Sequence, residues 1–422
     1  MSAEFHRRVR IDDLCALISE QVDPSKSADA LCLGLEHLRP GRITTCGGGR
    51  ASDVLSSKSI FSRGDVLYGK LRPYLDKAVV AEEDGVCTTE LLVLRPKNGT
   101  DARFLAGVLH SGAFLEHAIS GVTGVQHPRT SWQRIREFEL QGFDEMGQRQ
   151  IGDFITRLHR AITACEATLT SAQALKRVAM RELFRIGLHG ETQKDTEIGP
   201  VPSSWQSGTI GDHFAVVSGG TPSRVRPDYW TGGSIPWAKT TEIDYGVIRS
   251  TEEHITESGL RESAAKILAP GTILMAMYGQ GVTRGRVAIL GIEAACNQAC
   301  AAMTPLDEAV EPRYLFHFLA YRYADIRMLA HGGQQQNLNL DIVRDLPVVF
   351  ANDVREQTEI VEILDAFDRK ADLQMRKKAL LEELFKELLN GLMTGLIRVA
   401  DLHMIGREEL APPMAVEEAA AV

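Results

Sequence analysis

No apolar run in this chain approaches the roughly 20 residues needed to cross a bilayer, which argues against a membrane protein. The opening stretch, Met1 to Asp13, carries charges but no apolar core of a signal peptide, so a cytoplasmic protein is expected. Cysteine is scarce and unpaired in pattern: the 7 residues Cys15, Cys32, Cys46, Cys87, Cys165, Cys296 and Cys300 are scattered, which points to reduced thiols. Cys296 and Cys300 form a lone CxxxC without the second pair a zinc site needs, and the 12 histidines show no HxxxH spacing. Also missing are a GxxxxGK[ST] phosphate loop, an Asn/Asp-Pro-Pro-aromatic motif and a nuclease-like cluster. No catalytic residue, metal or cofactor is therefore expected in this chain.

A basic excess is absent too. The net charge is −9, from 47 basic and 56 acidic residues, and taken globally this counts against nucleic-acid binding. The distribution is more informative. Acidic residues crowd the region from Glu356 to Glu387, whereas Lys70, Arg72, Arg284 and Arg286 sit in glycine-rich loops that could meet phosphate.

What the sequence has instead is a repeat of half its own length. At 422 residues several domains are expected, and two stretches align without gaps at an offset of 209: Gln148, Ile151, Asp153, Ile155 and Leu158 fall on Gln357, Ile360, Glu362, Leu364 and Phe367. Within the first, the apolar seam reads Ile151, Ile155, Leu158, Ile162, Cys165, Leu169, Ala172, Lys176, Ala179, Leu183. The second reads Ile360, Leu364, Phe367, Ala371, Gln374, Lys378, Leu381, Phe385, Leu388, Leu392. Both alternate steps of four and three, the period of a coiled coil, and both are polar elsewhere, so each needs one partner; a bundle helix inside a globular core is the alternative. A helix from Gln148 to Leu183 would be roughly 54 Å long.

The segments before the helices also correspond. Gly64-Asp65-Val66-Leu67-Tyr68-Gly69 matches Gly271-Thr272-Ile273-Leu274-Met275-Ala276, Cys87-Thr88-Thr89-Glu90 matches Cys296-Asn297-Gln298-Ala299, and Arg103-Phe104-Leu105 matches Arg313-Tyr314-Leu315. Gln126 before Ile135-Arg136-Glu137-Phe138 resembles Gln334 before Val343-Arg344-Asp345-Leu346. Short Val-, Ile- and Leu-rich runs at Ile43 to Gly49, Val79 to Asp84, Gly271 to Met277 and Arg286 to Gly291 predict mixed α/β (α+β) domains. The expected order is a globular domain over 1–143, a helix over 144–190, a linker and second domain over 191–350, a helix over 351–398 and a disordered tail over 399–422. Gly190 to Pro202 reads as the linker between halves.

These motifs resemble the specificity subunits of type I restriction-modification systems. The resemblance is carried by Gly199-Pro200-Val201-Pro202-Ser203-Ser204-Trp205, Ser218-Gly219-Gly220-Thr221-Pro222-Ser223, Ile235-Pro236-Trp237, Gln335-Gln336-Asn337-Leu338-Asn339-Leu340, Arg355-Glu356-Gln357 and Leu392-Met393-Thr394-Gly395. The first half resembles another recognition-domain subtype through Gly69-Lys70-Leu71-Arg72-Pro73-Tyr74 and Gly124-Val125-Gln126-His127-Pro128-Arg129-Thr130-Ser131-Trp132, without a Ser-Gly-Gly-Thr-Pro element. The resemblance implies two tandem domains separated by two long antiparallel helices, a bipartite duplex DNA target, and partner methyltransferase subunits, with a restriction and translocase subunit as a further partner. S-adenosylmethionine and ATP would then belong to those partners.

The candidate DNA contacts follow from side chains that suit base edges or phosphate. In the first half they are Lys70, Arg72, Tyr74, Gln126, His127 and Arg129. In the second they are Lys239, Thr240, Thr241, Tyr278, Gln280, Arg284, Arg286, Gln334, Gln335, Gln336 and Asn337. A plain surface loop or a nucleotide loop is open for Gly279 to Arg286, and a structural turn for Gly219 to Ser223 and for the amide run. Rival readings are an enzyme whose motifs are hidden, or a scaffold or inhibitor that keeps the helices without reading DNA. If the helices act as a ruler, one added heptad should lengthen the unread spacer by about 3 base pairs.

Overall fold

The computed structural model describes residues 8–97, 99–122, 126–279, 282–329 and 337–402. The chain forms two compact units, one of Met1–Thr168 with Leu373–Val422 and one of Leu169–Asp372. Each holds a mixed α/β domain and part of each of two long helices, Glu145–Ile186 and Val354–Thr394.

In the first unit, Cys15–Ile18, Leu91–Pro96, Val66–Gly69 and Ala78–Val80 lie in that order in one antiparallel sheet. A second sheet runs Gln21–Val22, Lys58–Phe61, Gly85–Cys87, Leu31–Leu33, Gly49–Arg50, with a parallel pair between Leu31–Leu33 and Gly85–Cys87. Arg8–Arg10 pairs with Glu139–Gln141, so the two ends of the domain close on each other beside the long helix. The second unit repeats this plan. Phe214–Ser218, Cys300–Pro305, Ile273–Ala276, Val287–Leu290 and Val247–Ile248 form its main sheet. Glu253–Ile255, Ile235–Ala238 and Ala295–Cys296 form the smaller one, again with a parallel pair. Gln206–Thr209 closes on Pro347–Phe350.

The match at an offset of 209 has a physical basis. Gln148 accepts from the Asp101 backbone N–H at 3.2 Å and donates to the Phe143 carbonyl at 3.0 Å. Gln357 accepts from the Glu311 N–H at 2.9 Å and donates to the Ala309 and Ala351 carbonyls, both at 2.8 Å. In each unit this buried amide ties the start of a long helix to the cap of a domain helix, Ala102–Leu109 capped by Asp101 or Pro312–Tyr321 capped by Glu311. A buried amide left unpaired costs about 1–3 kcal/mol, so both positions demand Gln.

Within each unit the long helices run antiparallel. In the first, His159 packs on Phe385 at 4.7 Å between ring centroids, and one heptad further on Glu166 meets Lys378 at 3.1 Å, one heptad back along the other helix. In the second, Lys176 bonds Asp368 at 2.6 Å and the Leu188 N–H bonds Glu356 at 3.2 Å. The polar seam residues Lys176 and Lys378 are thus each neutralised by a carboxylate from the facing helix.

Ile151, Ile155, Leu158, Ile162, Ile360, Leu364, Leu381, Phe385 and Leu388 are buried along the predicted seam. Leu169 and Phe367 are only half-buried. Toward the domain ends the buried stripe widens: Phe154, Met180, Phe184, Val361 and Leu389 join it because there each helix faces a domain core as well as its partner. In the second unit Phe184 sits among Tyr314, Phe318 and Tyr321, while the predicted Leu183 is only half-buried.

Three expectations need correction. Ile43 to Gly49 is not a strand: its backbone turns to let the Ile43 carbonyl accept from Val80, and pairing starts only at Gly49–Arg50. The expected linker is an ordered hairpin, Gln193–Thr196 against Gly199–Pro202, which buries Val201 near Trp205. The expected tail begins with a 3-10 turn at Val399–Asp401, and Leu402 packs into the first core; residues beyond it lie outside those described.

Candidate nucleic-acid interface

In both units a buried strand ends in a loop that a second segment braces through the backbone. After Val66–Gly69, the Lys70 N–H bonds the Glu90 carbonyl at 3.0 Å and the Lys70 carbonyl accepts from Thr130 at 3.0 Å. After Ile273–Ala276, the Met277 N–H bonds the Ala299 carbonyl at 2.8 Å and the Met277 carbonyl accepts from Leu338 at 3.1 Å. Lys70 and Met277, Glu90 and Ala299, and Thr130 and Leu338 are therefore equivalent. Two positions further on, Arg72 (φ 50°) and Gly279 (φ 151°) both take positive φ; a left-handed conformation costs a non-glycine residue roughly 1–2 kcal/mol.

The first loop gathers all six of its candidates. Besides the Lys70 contact, the Arg72 N–H bonds the Pro128 carbonyl at 2.7 Å, and Leu71 and Arg129 form an isolated bridge, so Lys70, Arg72 and Tyr74 share a surface with Gln126, His127 and Arg129. Tyr74 is 51% exposed, and Arg72, Gln126, His127 and Arg129 are exposed. Arg129 is held by Glu90 in a two-toothed pair at 3.0 and 3.2 Å. Among the described residues, the Lys70 and Arg72 side chains make no ion pair, which leaves them available to phosphate.

The second loop is built differently. Tyr278 and Asn337 are exposed, and Arg284 is half-buried. Arg286 pairs with Asp244 at 2.6 Å and lies 5.7 Å from the Tyr245 ring. Gln280, Gln334, Gln335 and Gln336 lie outside the described residues. Thr240 and Thr241 belong to a 3-10 turn, and Lys239 is bonded to Glu252 at 2.7 Å and Glu253 at 3.1 Å, which lift its pKa. Its charge is already spent inside the domain, unlike the free cation the sequence suggests.

Gly219 and Gly220 have a structural reason. A Cβ at Gly219 would lie 2.2 Å from the Cys296 carbonyl oxygen, and one at Gly220 2.2 Å from the Ala265 nitrogen, while the Gly220 carbonyl accepts from the Trp237 indole at 2.9 Å. Only glycine fits. Two features escaped the sequence. Glu90 was visible as part of the matched CTTE quartet. Arg224, 3.6 Å above the Trp230 ring and paired with Glu253, stands beside the Gly-Gly-Thr-Pro turn without any spacing signal.

His317, Asp365 and Asp368 cluster closely enough to hold a cation. That charge is supplied by the protein: Arg313 grips Asp365 at 2.6 and 2.8 Å, and Lys176 grips Asp368. Burial opposes ionisation of Asp365, but His317 and Arg313 outweigh it and hold its pKa far below the usual carboxylate range.

Fold and site together define a class: two tandem α/β units, each built on antiparallel segments of two long helices and presenting one braced polar loop. Residues 202–383 match the family model described as the type I restriction modification DNA specificity domain. The chain is 28% identical over 212 residues to the Type I restriction enzyme MjaIX specificity subunit of Methanocaldococcus jannaschii, covering 49% of this chain and 48% of that one. It is 29% identical over 163 residues to the EcoR124I/EcoR124II specificity subunit of Escherichia coli, covering 38% and 40%. These alignments thus span half or less of the relatives' length. The fold resembles that of the type I restriction-modification S subunit from M. genitalium, with a TM-score of 0.59 at 14% identity over 93% of this chain and 98% of that one. It also resembles a chain from a structure of type I R-M complex assembly, with a TM-score of 0.56 at 16% identity over 92% and 97%. Residues 202–383 thus match a type I restriction modification DNA specificity domain, and the fold of the chain resembles that of the S subunit.

Proposed function

We propose that this chain is the non-catalytic DNA-reading subunit of a cytoplasmic type I restriction-modification complex. One observation carries the reading: the same braced loop occurs in both duplicated domains, with Arg72, Tyr74 and Gln126 exposed on the first and Tyr278 and Asn337 exposed on the second, side chains suited to base edges and phosphate. Domains over 1–143 and 191–350 would each read one half of a bipartite duplex target in the major groove. Partner methyltransferase subunits would supply S-adenosylmethionine and methylate adenine N6, and a restriction subunit would supply ATP-driven cleavage. No helix among the described residues is long and apolar enough to cross a membrane, in keeping with work on DNA.

The test is to map N6-methyladenine in a host with and without the gene, and to ask whether a methyltransferase co-purifies. A two-part motif that disappears with the gene is expected. A purified chain that methylates DNA alone would overturn the non-catalytic reading, and partner binding without sequence-specific protection would favour a scaffold or inhibitor.

A further inference from the structure

Behind the first loop lies a buried polar relay. The loop ends at Asp76, in the left-handed region (φ 51°), whose carbonyl accepts from the Gly41 N–H at 2.8 Å. The Asp76 carboxylate meets His110 Nδ1 at 2.6 Å, and the His110 side chain is 0% exposed. His110 Nε2 faces the Ala78 carbonyl at 2.8 Å and the Arg42 carbonyl at 3.2 Å. Carboxylate and carbonyl oxygens can only accept, so both ring nitrogens must carry a proton. Arg42, itself 9% exposed, sends its guanidinium to Glu166 at 2.8 Å and Glu382 at 2.9 Å, one from each long helix.

We propose that His110, held as an imidazolium, is the positioning residue for the loop Lys70–Asp76, so that DNA reading by the first unit weakens as pH rises. This rests on the reading of that loop as a DNA contact. The geometry leaves no neutral tautomer that satisfies Asp76 and Ala78 together. Deprotonation at Nδ1 would set a lone pair against the carboxylate, and deprotonation at Nε2 would orphan two buried carbonyls. Arg72 and Asp76, the two strained residues that bracket the turn Pro73–Leu75, would then lose their anchor.

The groups facing His110 are consistent with this. Burial opposes the cation, but the charge and hydrogen bond of Asp76 outweigh it, placing the pKa above the ordinary 6.5. The positive charge of Arg42 is turned away onto Glu166 and Glu382, with Lys378 also on Glu166. Phe385, from the second long helix, presents its ring to both His110 and His159. His159 also faces two carbonyls, Ile155 from Nδ1 and Gly41 from Nε2, both at 3.0 Å, but it has no carboxylate partner, and burial, helped by the nearby His110 and Arg42 charges, lowers its pKa below the ordinary value. Of the two, His110 is the one paired with a carboxylate, so the pH effect is assigned to it.

The experiment uses the full chain with its co-purified methyltransferase and fluorescein-labelled duplexes carrying the mapped motif, with one or the other half-site scrambled. Between pH 6.5 and 9, affinity for the duplex keeping the first unit's half-site is expected to fall roughly tenfold, as one charge-assisted bond is lost. The duplex keeping the other half-site should change much less. His110→Gln should bind the first half-site weakly and with a flat pH profile, and Asp76→Asn, of the same shape, should do the same. Carbon-13 NMR of the His110 ring reads its protonation directly should the Gln variant not fold. A flat wild-type profile, equal profiles for the two half-sites, or a neutral His110 at pH 7 would overturn the proposal. Binding of neither duplex at any pH would instead bring down the DNA-reading proposal on which it stands.

Discussion

The two loops share a backbone plan but not an electrostatic one. In the first unit, among the described residues, Lys70 and Arg72 make no ion pair beside an exposed Tyr74, and Arg129 is paired with the half-buried Glu90. In the second, Lys239 and Arg286 are already engaged with Glu252, Glu253 and Asp244. A phosphate approaching the first loop gains charge contacts outright, whereas one approaching these second-unit cations must compete with carboxylates. On the proposed DNA-reading function, the difference implies a division of labour, in which the first copy would supply nonspecific grip and the second would lean on base-edge contacts.

The comparison breaks most completely if the units do not read independently. Exchanging residues 197–350 for the matching domain of a relative should replace one half of the methylated motif and leave the other intact, as read by methylome sequencing; a change in both halves would refute independence. The anchors come next. Gln357→Leu orphans more buried backbone groups than Gln148→Leu and should cost about 3 kcal/mol against about 2, measured by denaturant unfolding; equal costs would show that the extra bond of Gln357 contributes nothing.

Charge sharpens the contrast further. Lys70→Ala with Arg72→Ala should lower the salt slope of DNA binding by about 2, and Arg286→Ala by less than half as much, because Asp244 already holds it. If Arg284 and Arg286 instead read bases, each lost two-toothed contact should cost about 1–3 kcal/mol and relax specificity without flattening the slope. The smallest effect concerns acid. His317 is buried and its pKa is lowered below 6.5, chiefly by desolvation, so its neutral form is favoured in the fold. The second unit should therefore be at full stability above pH 6.5 and lose it as pH falls below that value, because the unfolded chain takes up a proton the folded one resists. His317→Phe should flatten this dependence in thermal melts, and an unchanged slope would exclude His317 as its source.

Much of the architecture was legible because a long helix with one partner must repeat its apolar residues every three and four positions. Ile151, Ile155, Leu158, Ile360 and Leu364 could hardly be anything but buried. Phe184 was missed in favour of Leu183 because the seam rule assumes one partner, and near its end that helix faces Tyr314 and Phe318 as well. The hairpin at 193–202 was read as a linker because its composition is polar and its pairing partner is its own neighbour, which leaves little hydrophobic signal. In the site, residue types pointed to the loops, but sequence carries no record of which cation meets which carboxylate. Lys239 looked free until Glu252 and Glu253, more than ten positions away, came beside it.

The first unit is assembled from both sides of the second, since its residues run up to Thr168 and resume at Leu373. Synthesis at roughly 5–20 residues per second would leave it waiting on the order of 10–40 s for Leu381, Phe385, Leu388 and Leu392 to emerge and complete its core. During that interval Ile151, Ile155 and Leu158 lack their covering helix, while the second unit has everything it needs earlier. Order of folding would then invert order of translation, and the first-made domain would depend longest on chaperones.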